Sequence, residues 1–162
     1  MKKRSLGNVG TTVSAVGIGA MSFSDFYGPT DTGKSHAILR KALDLGIDHI
    51  DTSNVYGAGA SEERIGSFLK NQGVRKNDLF KIATKAGIKR GDDGRNHFDN
   101  SSNHLRSELD MSLKRLGVEL VVLFSIDRGD PRWAFEGVAV SVGGRVWWGE
   151  CRRVGGAAGG RG

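Results

Sequence analysis

The chain has little cysteine and little proline. Of its 162 residues, one is cysteine, Cys151, and two are proline. A single thiol cannot close a disulfide within the chain and provides no metal-ligand spacing. Four histidines are present: His36, His49, His97 and His104. None forms a ligand pair with carboxylate or thiol support, so we expect neither a disulfide framework nor a metal site.

Long apolar runs are also missing. No stretch approaches the ~18 residues of a membrane-spanning helix. The basic start, Met1–Arg4, is not followed by the apolar segment of a secretory signal. We therefore expect a cytoplasmic protein with no membrane partner.

Acidic residues are fewer than basic ones, 18 against 24, which gives a formal net charge of +6. Proteins that bind nucleic acid cluster lysine and arginine to neutralise phosphates. Here the basic residues alternate with acids, as in segments 75–78 and 89–93. This pattern is typical of a solvated mixed surface, so no nucleic-acid partner is expected.

Strand and helix patterns alternate along the first 126 residues. Polar and apolar residues alternate over 3–15 around glycines, which predicts a β-hairpin. Buried strands are predicted at 13–18, 47–51, 79–84 and 120–126, and a charged loop at 88–99. Helices are predicted at 31–45, from Ser61 onward with Glu62 and Glu63 near the positive dipole end, and at 100–116. Such alternation favours βαβ units and a parallel sheet.

Three polar residues fall where these strands end. Asp51 and Lys85 close the second and third predicted strands, and Tyr56 follows the second. The phenol of free tyrosine has a pKa of about 10 and donates its proton poorly at neutral pH. A neighbouring ammonium favours the phenolate, and a carboxylate can hold that ammonium in place. The pattern predicts an activated phenol at the carboxyl ends of parallel strands.

Several segments occur together in a recognisable order: 3–7, 17–21, 26–29, 50–57, 82–87 and 114–118. They resemble the aldo-keto reductases, over about three quarters of the chain. The resemblance implies an oxidoreductase built on a (β/α)8 barrel. Such an enzyme uses NADPH to reduce the carbonyl of a small-molecule aldehyde or ketone. It also implies a catalytic tetrad of Asp, Tyr, Lys and His.

The resemblance predicts the fold class and the domain limits. A complete barrel needs roughly 250 residues, so residues 1–128 are expected to form the N-terminal half of a (β/α)8 TIM barrel after a β-hairpin. Residues 129–162, rich in Gly, Trp and Arg, are interpreted as a degraded and partly disordered tail of a truncated chain.

The resemblance also assigns roles to individual residues. Asp51, Tyr56 and Lys85 are the expected catalytic residues, with Tyr56 as the proton donor. Ala20, Met21 and Asp51 are expected to contact the cofactor NADPH. Asp127 stands at the position of the family's histidine, and an ionised carboxylate there offers no hydrogen to the substrate oxygen. Reduction is therefore expected to be impaired.

Two alternatives remain open. A barrel cut after four strands exposes two sheet edges, which favours self-association and leaves room for a non-catalytic remnant or interaction partner. Gly28–Ser35 also matches the phosphate-loop pattern G-x-x-x-x-G-K-[ST], which predicts nucleotide binding. However, a polar and aromatic segment, rather than a strand, precedes it, so a first loop leading into a helix capped by Thr30 or Asp31 is favoured.

Overall fold

A computed structural model describes residues 1–6, 11–73, 76–91 and 93–127. The strands are β1 (Lys3–Ser5), β2 (Thr12–Ser14), β3 (Ile18–Gly19), β4 (His49–Asp51), β5 (Lys81–Ala86), β6 (Ile88–Arg90), β7 (Asn96–Phe98) and β8 (Leu123–Ile126). The helices are a 3-10 helix (Ala20–Ser24), α1 (Thr32–Asp44), α2 (Ala60–Lys70), α3 (Lys76–Leu79) and α4 (Ser102–Leu116). The predicted tail, 129–162, lies outside the described residues.

The sheet that carries the site is parallel, as predicted. Its four strands run in the order β3-β4-β5-β8, and helices connect them. The predicted hairpin is confirmed, because β1 and β2 pair antiparallel. This α/β arrangement corresponds to the N-terminal part of the expected barrel fold.

Several predicted elements or their boundaries were wrong. The strand expected at 13–18 is divided, because Ser14 belongs to β2 and only Ile18–Gly19 joins the parallel sheet. Ser14 is held there by Asp48, whose carboxylate accepts its N–H at 2.7 Å. The third strand begins at Lys81, since the short helix α3 occupies the residues before it. The charged segment 88–99 contains the antiparallel β6–β7 hairpin rather than only loop.

The predicted helices are present, with one revision of substance. Helix α1 is capped by Asp31, and Gly46 follows it with a left-handed φ of 71°. Helix α2 begins at Ala60 rather than Ser61, after Gly59. Glu62 lies in the first turn as expected, and the structure adds that it is completely buried.

The main core lies between the sheet and its helices. Leu109, Leu113 and Leu116 of α4 are buried in it, and Leu105 of the same helix is buried in a second cluster with Ala86. The fully buried large side chains around them include Phe23, Leu39, Ile50, Ile65, Phe68 and Leu69. Burial of this kind stabilises a fold by ~25 cal/mol per Å² of apolar surface, so the strand ends rest on a packed base.

A buried ion pair crosses this core. The Glu62 carboxylate accepts hydrogen bonds from Arg115 Nε and from Thr84 Oγ1, both at 2.6 Å. Because Thr84 directly precedes Lys85, the pair connects α2 and α4 to the part of β5 that carries the expected lysine. A buried charge is tolerated only when its partners satisfy it in this way.

Helices α2 and α4 cross closely at Gly66. A Cβ atom added to this fully buried glycine would clash with the backbone oxygen of Arg115. The crossing therefore requires glycine in the middle of α2, although glycine costs an isolated helix about 1 kcal/mol relative to alanine.

We predict that Gly66→Ala destabilises the chain. Helix propensity alone would stabilise it by ~1 kcal/mol, whereas the clash is expected to cost about 2 kcal/mol or more. Urea unfolding followed by circular dichroism measures the difference. Ser67→Ala, at the exposed neighbouring position, is the matched control. An unchanged or higher midpoint for Gly66→Ala would mean that the helices do not approach as described.

Candidate active site

The ammonium group of Lys85 is the centre of the candidate site. It donates hydrogen bonds to Asp51 Oδ2 at 2.6 Å, to the backbone carbonyl of Thr52 at 2.8 Å and to the Tyr56 hydroxyl at 3.2 Å. An ammonium has three hydrogens, so each is engaged. The structure thus brings together the three residues that the sequence predicted would meet.

The parallel sheet explains why these side chains meet. Asp51 is the last residue of β4 and lies opposite Ala83 of β5, two residues before Lys85. Tyr56 follows in the turn between β4 and α2, where its N–H donates to the carbonyl of Ser53. Strand ends and the turns beyond them therefore share one edge of the sheet.

The electrostatics of the site favour a charged lysine. Burial lowers the pKa of Lys85, but the hydrogen bond and charge of Asp51, together with the phenol of Tyr56, raise it above the ordinary value of 10.5. The Lys85 side chain is 17% exposed and that of Asp51 is 46% exposed. Because Asp51 is partly exposed, solvent screening weakens its electrostatic attraction to Lys85.

The Lys85 ammonium contacts both the hydroxyl and the ring of Tyr56. The Lys85 nitrogen lies 4.8 Å from the centroid of the half-buried phenol ring. Its hydroxyl accepts a hydrogen from Lys85, so the phenol's own hydrogen is directed to another partner. The Tyr56 hydroxyl can therefore donate its hydrogen to another acceptor while the Lys85 ammonium contacts its oxygen.

Two of the residues expected to contact a cofactor, Ala20 and Met21, lie in the 3-10 helix, and the third, Asp51, ends β4. Ala20 is fully buried, whereas Met21 is half-buried and accepts a weak hydrogen bond from the Tyr27 hydroxyl to its sulfur at 3.7 Å. Gly19 is exposed beside Asp51 in the sheet, and a Cβ there would meet nothing within 4 Å. The open surface is therefore formed by Gly19 and Met21, with Ala20 behind it.

Asp127 follows β8 at the same edge of the sheet. Its N–H donates to the carbonyl of Ala86 at 2.7 Å, which continues the pairing of β5 and β8. Lys85 stands opposite Ser125 in that register, so Asp127 lies on the strand next to the lysine. The position agrees with the rim predicted from the sequence.

Two buried residues behind the site were missed from the sequence. Thr52 follows Asp51 directly, and Ser61 was interpreted only as the start of a helix; both are completely buried. Their hydroxyls hydrogen-bond to each other at 2.9 Å. No spacing pattern indicates this contact, because it depends on how α2 packs against the strand ends.

Gly28–Ser35 does not have the structure of a phosphate loop. Its last four residues are the first turn of α1, where the Asp31 carboxylate already accepts the N–H of Lys34 at 2.8 Å. The Ser35 hydroxyl is buried and donates to the Asp31 carbonyl at 3.0 Å. The interpretation as a loop leading into a capped helix is confirmed, with Asp31 as the cap.

The described part of the chain has neither a clustered set of metal ligands nor a membrane-spanning helix. Within it, no group of three or more His, Cys, Asp or Glu residues is arranged to hold a metal ion. No helix among the described residues is long and apolar enough to cross a membrane.

We predict a pH dependence of stability that Lys85 causes. Since its folded pKa is raised, its stabilisation is fully present below about pH 10.5 and is lost as the pH rises above that value. The free energy of unfolding of the wild type, relative to Lys85→Met, should therefore decline as the pH rises above about 10.5. A constant difference between about pH 9 and pH 12 would contradict the ion pair.

Known proteins with similar sequences were found among the reductases. The sequence profile of the Aldo/keto reductase family matches residues 15–155. The Schizosaccharomyces pombe protein "Aldo-keto reductase yakc [NADP(+)]" is 35% identical over 153 residues, which are 94% of this chain and 44% of that protein. L-galactose dehydrogenase of Arabidopsis thaliana is 41% identical over 119 residues, 73% of this chain and 35% of that protein.

Solved structures agree with the sequence matches. The holo form of aldo-keto reductase AKR11C1 from Bacillus halodurans superposes with a TM-score of 0.74 at 31% identity, over 87% of this chain and 45% of that one. The chain thus spans less than half the length of these relatives. On the extent of the profile match and of these alignments, the chain belongs to the aldo/keto reductase family.

Proposed function

We propose that this chain carries the catalytic half of an NADPH-dependent carbonyl reductase, in which Tyr56 donates a proton to the oxygen of an aldehyde or ketone. The observation that carries the proposal is the Lys85 ammonium, 3.2 Å from the Tyr56 hydroxyl and 2.6 Å from Asp51. General acids of this kind typically contribute ~100- to 10,000-fold to a rate.

The open edge next to Asp51 suits a flat cofactor ring. Gly19 leaves free space there, and Met21 provides a polarisable surface next to it. NADPH bound at this edge would supply hydride to the carbonyl carbon. The name of the Schizosaccharomyces pombe relative includes NADP(+), which supports this choice of cofactor.

Residues of this chain supply the proton and stabilise the group that loses it. As negative charge builds on the substrate oxygen, the Tyr56 hydroxyl transfers its hydrogen to that oxygen. The phenolate that remains is stabilised by the Lys85 ammonium, whose raised pKa keeps it charged at neutral pH. Asp51 orients Lys85, and the Thr52 carbonyl fixes its third hydrogen.

Asp127 weakens this site. An ionised carboxylate provides only lone pairs and repels the charge that develops on the substrate oxygen. The loss of one such donor typically costs ~3 to 4 kcal/mol of transition-state stabilisation. We therefore propose that the chain reduces carbonyls poorly.

Association with a second chain remains part of the proposal. In the described sheet, β3 and β8 are the outer strands. Outer strands present unpaired backbone groups that can pair with another chain. The self-association expected from the sequence stays a prediction.

We predict that Tyr56→Phe lowers carbonyl-dependent oxidation of NADPH by about 100-fold or more, because it removes the proton donor. NADPH binding, followed by quenching of protein fluorescence, should be retained. The matched control is Tyr27→Phe at the exposed second tyrosine, which should keep most of the activity. Equal losses in the two variants would argue against Tyr56 as the donor.

We predict that Asp127→His increases turnover by about 100- to 1000-fold, because the imidazole N–H restores a hydrogen-bond donor to the substrate oxygen. Steady-state kinetics with a small aldehyde measures the change. Asp44→His, on the exposed end of α1, is the control and should have no effect. Unchanged turnover in Asp127→His would show that residue 127 does not face the substrate.

A further inference from the structure

Ser61 connects three separate parts of the candidate site. Its N–H donates to the carbonyl of Tyr56 at 3.2 Å. Its hydroxyl donates to the carbonyl of Ala20 at 2.8 Å and hydrogen-bonds to the Thr52 hydroxyl at 2.9 Å. Because the single hydroxyl hydrogen of Ser61 goes to Ala20, Thr52 must donate the hydrogen of the second bond.

Thr52 passes this contact to the lysine. Its hydroxyl binds Ser61, its N–H donates to Ala83 at 2.9 Å, and its carbonyl accepts the Lys85 ammonium at 2.8 Å. Thr52 and Ser61 are both completely buried. A buried hydroxyl that loses its partner is left without a hydrogen bond, because water cannot reach it, and this costs free energy. Removal of either hydroxyl should therefore shift the position of the other residue.

Helix capping does not explain the side chain of Ser61. The N-cap of α2 is Gly59, and no side chain hydrogen-bonds to the helix N-terminus there. The Ser61 hydroxyl instead points away from its own helix, toward the 3-10 helix and β4. Its bonds serve the contact between α2 and the strand ends.

We infer that Ser61 is a positioning residue, which fixes the Lys85 ammonium through Thr52 and fixes the Gly19–Met21 edge through the carbonyl of Ala20. This role rests on the reductase function proposed above. Ser61 itself touches neither the substrate nor the cofactor. It holds the proton-donating and cofactor-facing parts of the site in one geometry, and small misplacements of such groups are costly.

The test compares Ser61→Ala with Ser67→Ala in the full 162-residue chain. Ser67 is an exposed serine of the same helix. Acetic anhydride labels free amines, and mass spectrometry reports the rate at each lysine. We expect labelling of Lys85 to increase about tenfold in Ser61→Ala and to be unchanged in Ser67→Ala. Lys81, half-buried on the same strand, should keep its rate in both.

Variants of Thr52 test the hydrogen bond between the Ser61 and Thr52 hydroxyls. Thr52→Val removes the hydroxyl and retains the shape of the side chain, so it should increase Lys85 labelling as Ser61→Ala does. Thr52→Ser keeps the hydroxyl and should retain the wild-type rate. The double variant Ser61→Ala with Thr52→Val should label no faster than Ser61→Ala alone, since both changes remove one interaction. If Ser61→Ala fails to fold, Thr52→Val alone decides.

NADPH oxidation with an aldehyde, measured on the same variants, separates the two proposals. Faster labelling at Lys85 together with about tenfold lower kcat supports both. Faster labelling at Lys85 in Ser61→Ala, combined with a wild type that shows no turnover, supports the positioning role and overturns the proposed function. An unchanged rate at Lys85, or an equal increase at Lys81 and Lys85, overturns the positioning role whatever the turnover.

Discussion

The hydrogen bonds of the Lys85 ammonium are the constraint on which the site depends. They join a carboxylate from β4, a backbone carbonyl just beyond β4 and a phenol from the following turn. Burial alone would make a charged lysine less favourable. The partners offset that cost, so the charged ammonium lies beside the Tyr56 hydroxyl. The remaining structure can be understood as the support for this arrangement.

That support comes from two buried polar contacts between α2 and the sheet. Glu62 reaches Thr84, directly before Lys85, and is itself neutralised by Arg115. Ser61 reaches Thr52 and Ala20 on the other side. Adjacent residues of one helix turn therefore contact both strands that carry the site. Such contacts restrict geometry more than apolar packing does, because hydrogen bonds have defined directions.

Much of this arrangement could be predicted from the sequence, for local reasons. Glycines and alternating residues indicated the β1–β2 hairpin, and the alternation of strand and helix patterns indicated the parallel sheet. Asp51, Tyr56 and Lys85 were predicted to meet because the carboxyl ends of parallel strands lie at one edge. The burial of Glu62 could not be predicted, since it depends on Arg115, 53 positions away in the chain. The hydrogen bonds of the Ser61 hydroxyl were not predicted either, because they also depend on how α2 packs against distant parts of the chain.

The departure from the family pattern lies at Asp127, while the lysine-centred contacts are complete. In the proposed mechanism Tyr56 remains as the donor to the substrate oxygen, whereas an ionised carboxylate at residue 127 adds no second donor. Family membership and efficient catalysis are thus separate questions for this chain. The second depends on whether one aspartate faces the reacting carbonyl.

The most direct test of the central claim is the hydrogen exchange of the Lys85 ammonium, measured by NMR on chain labelled with ¹⁵N-lysine. An ammonium whose hydrogens are all bonded should exchange with water more slowly than that of the exposed Lys41, and the Lys85→Arg variant assigns its signal. We predict a resolved, slowly exchanging signal for Lys85 that is lost in Asp51→Asn. Exchange as fast as that of Lys41 would contradict the account, because the ammonium would then be free of Asp51 and Tyr56.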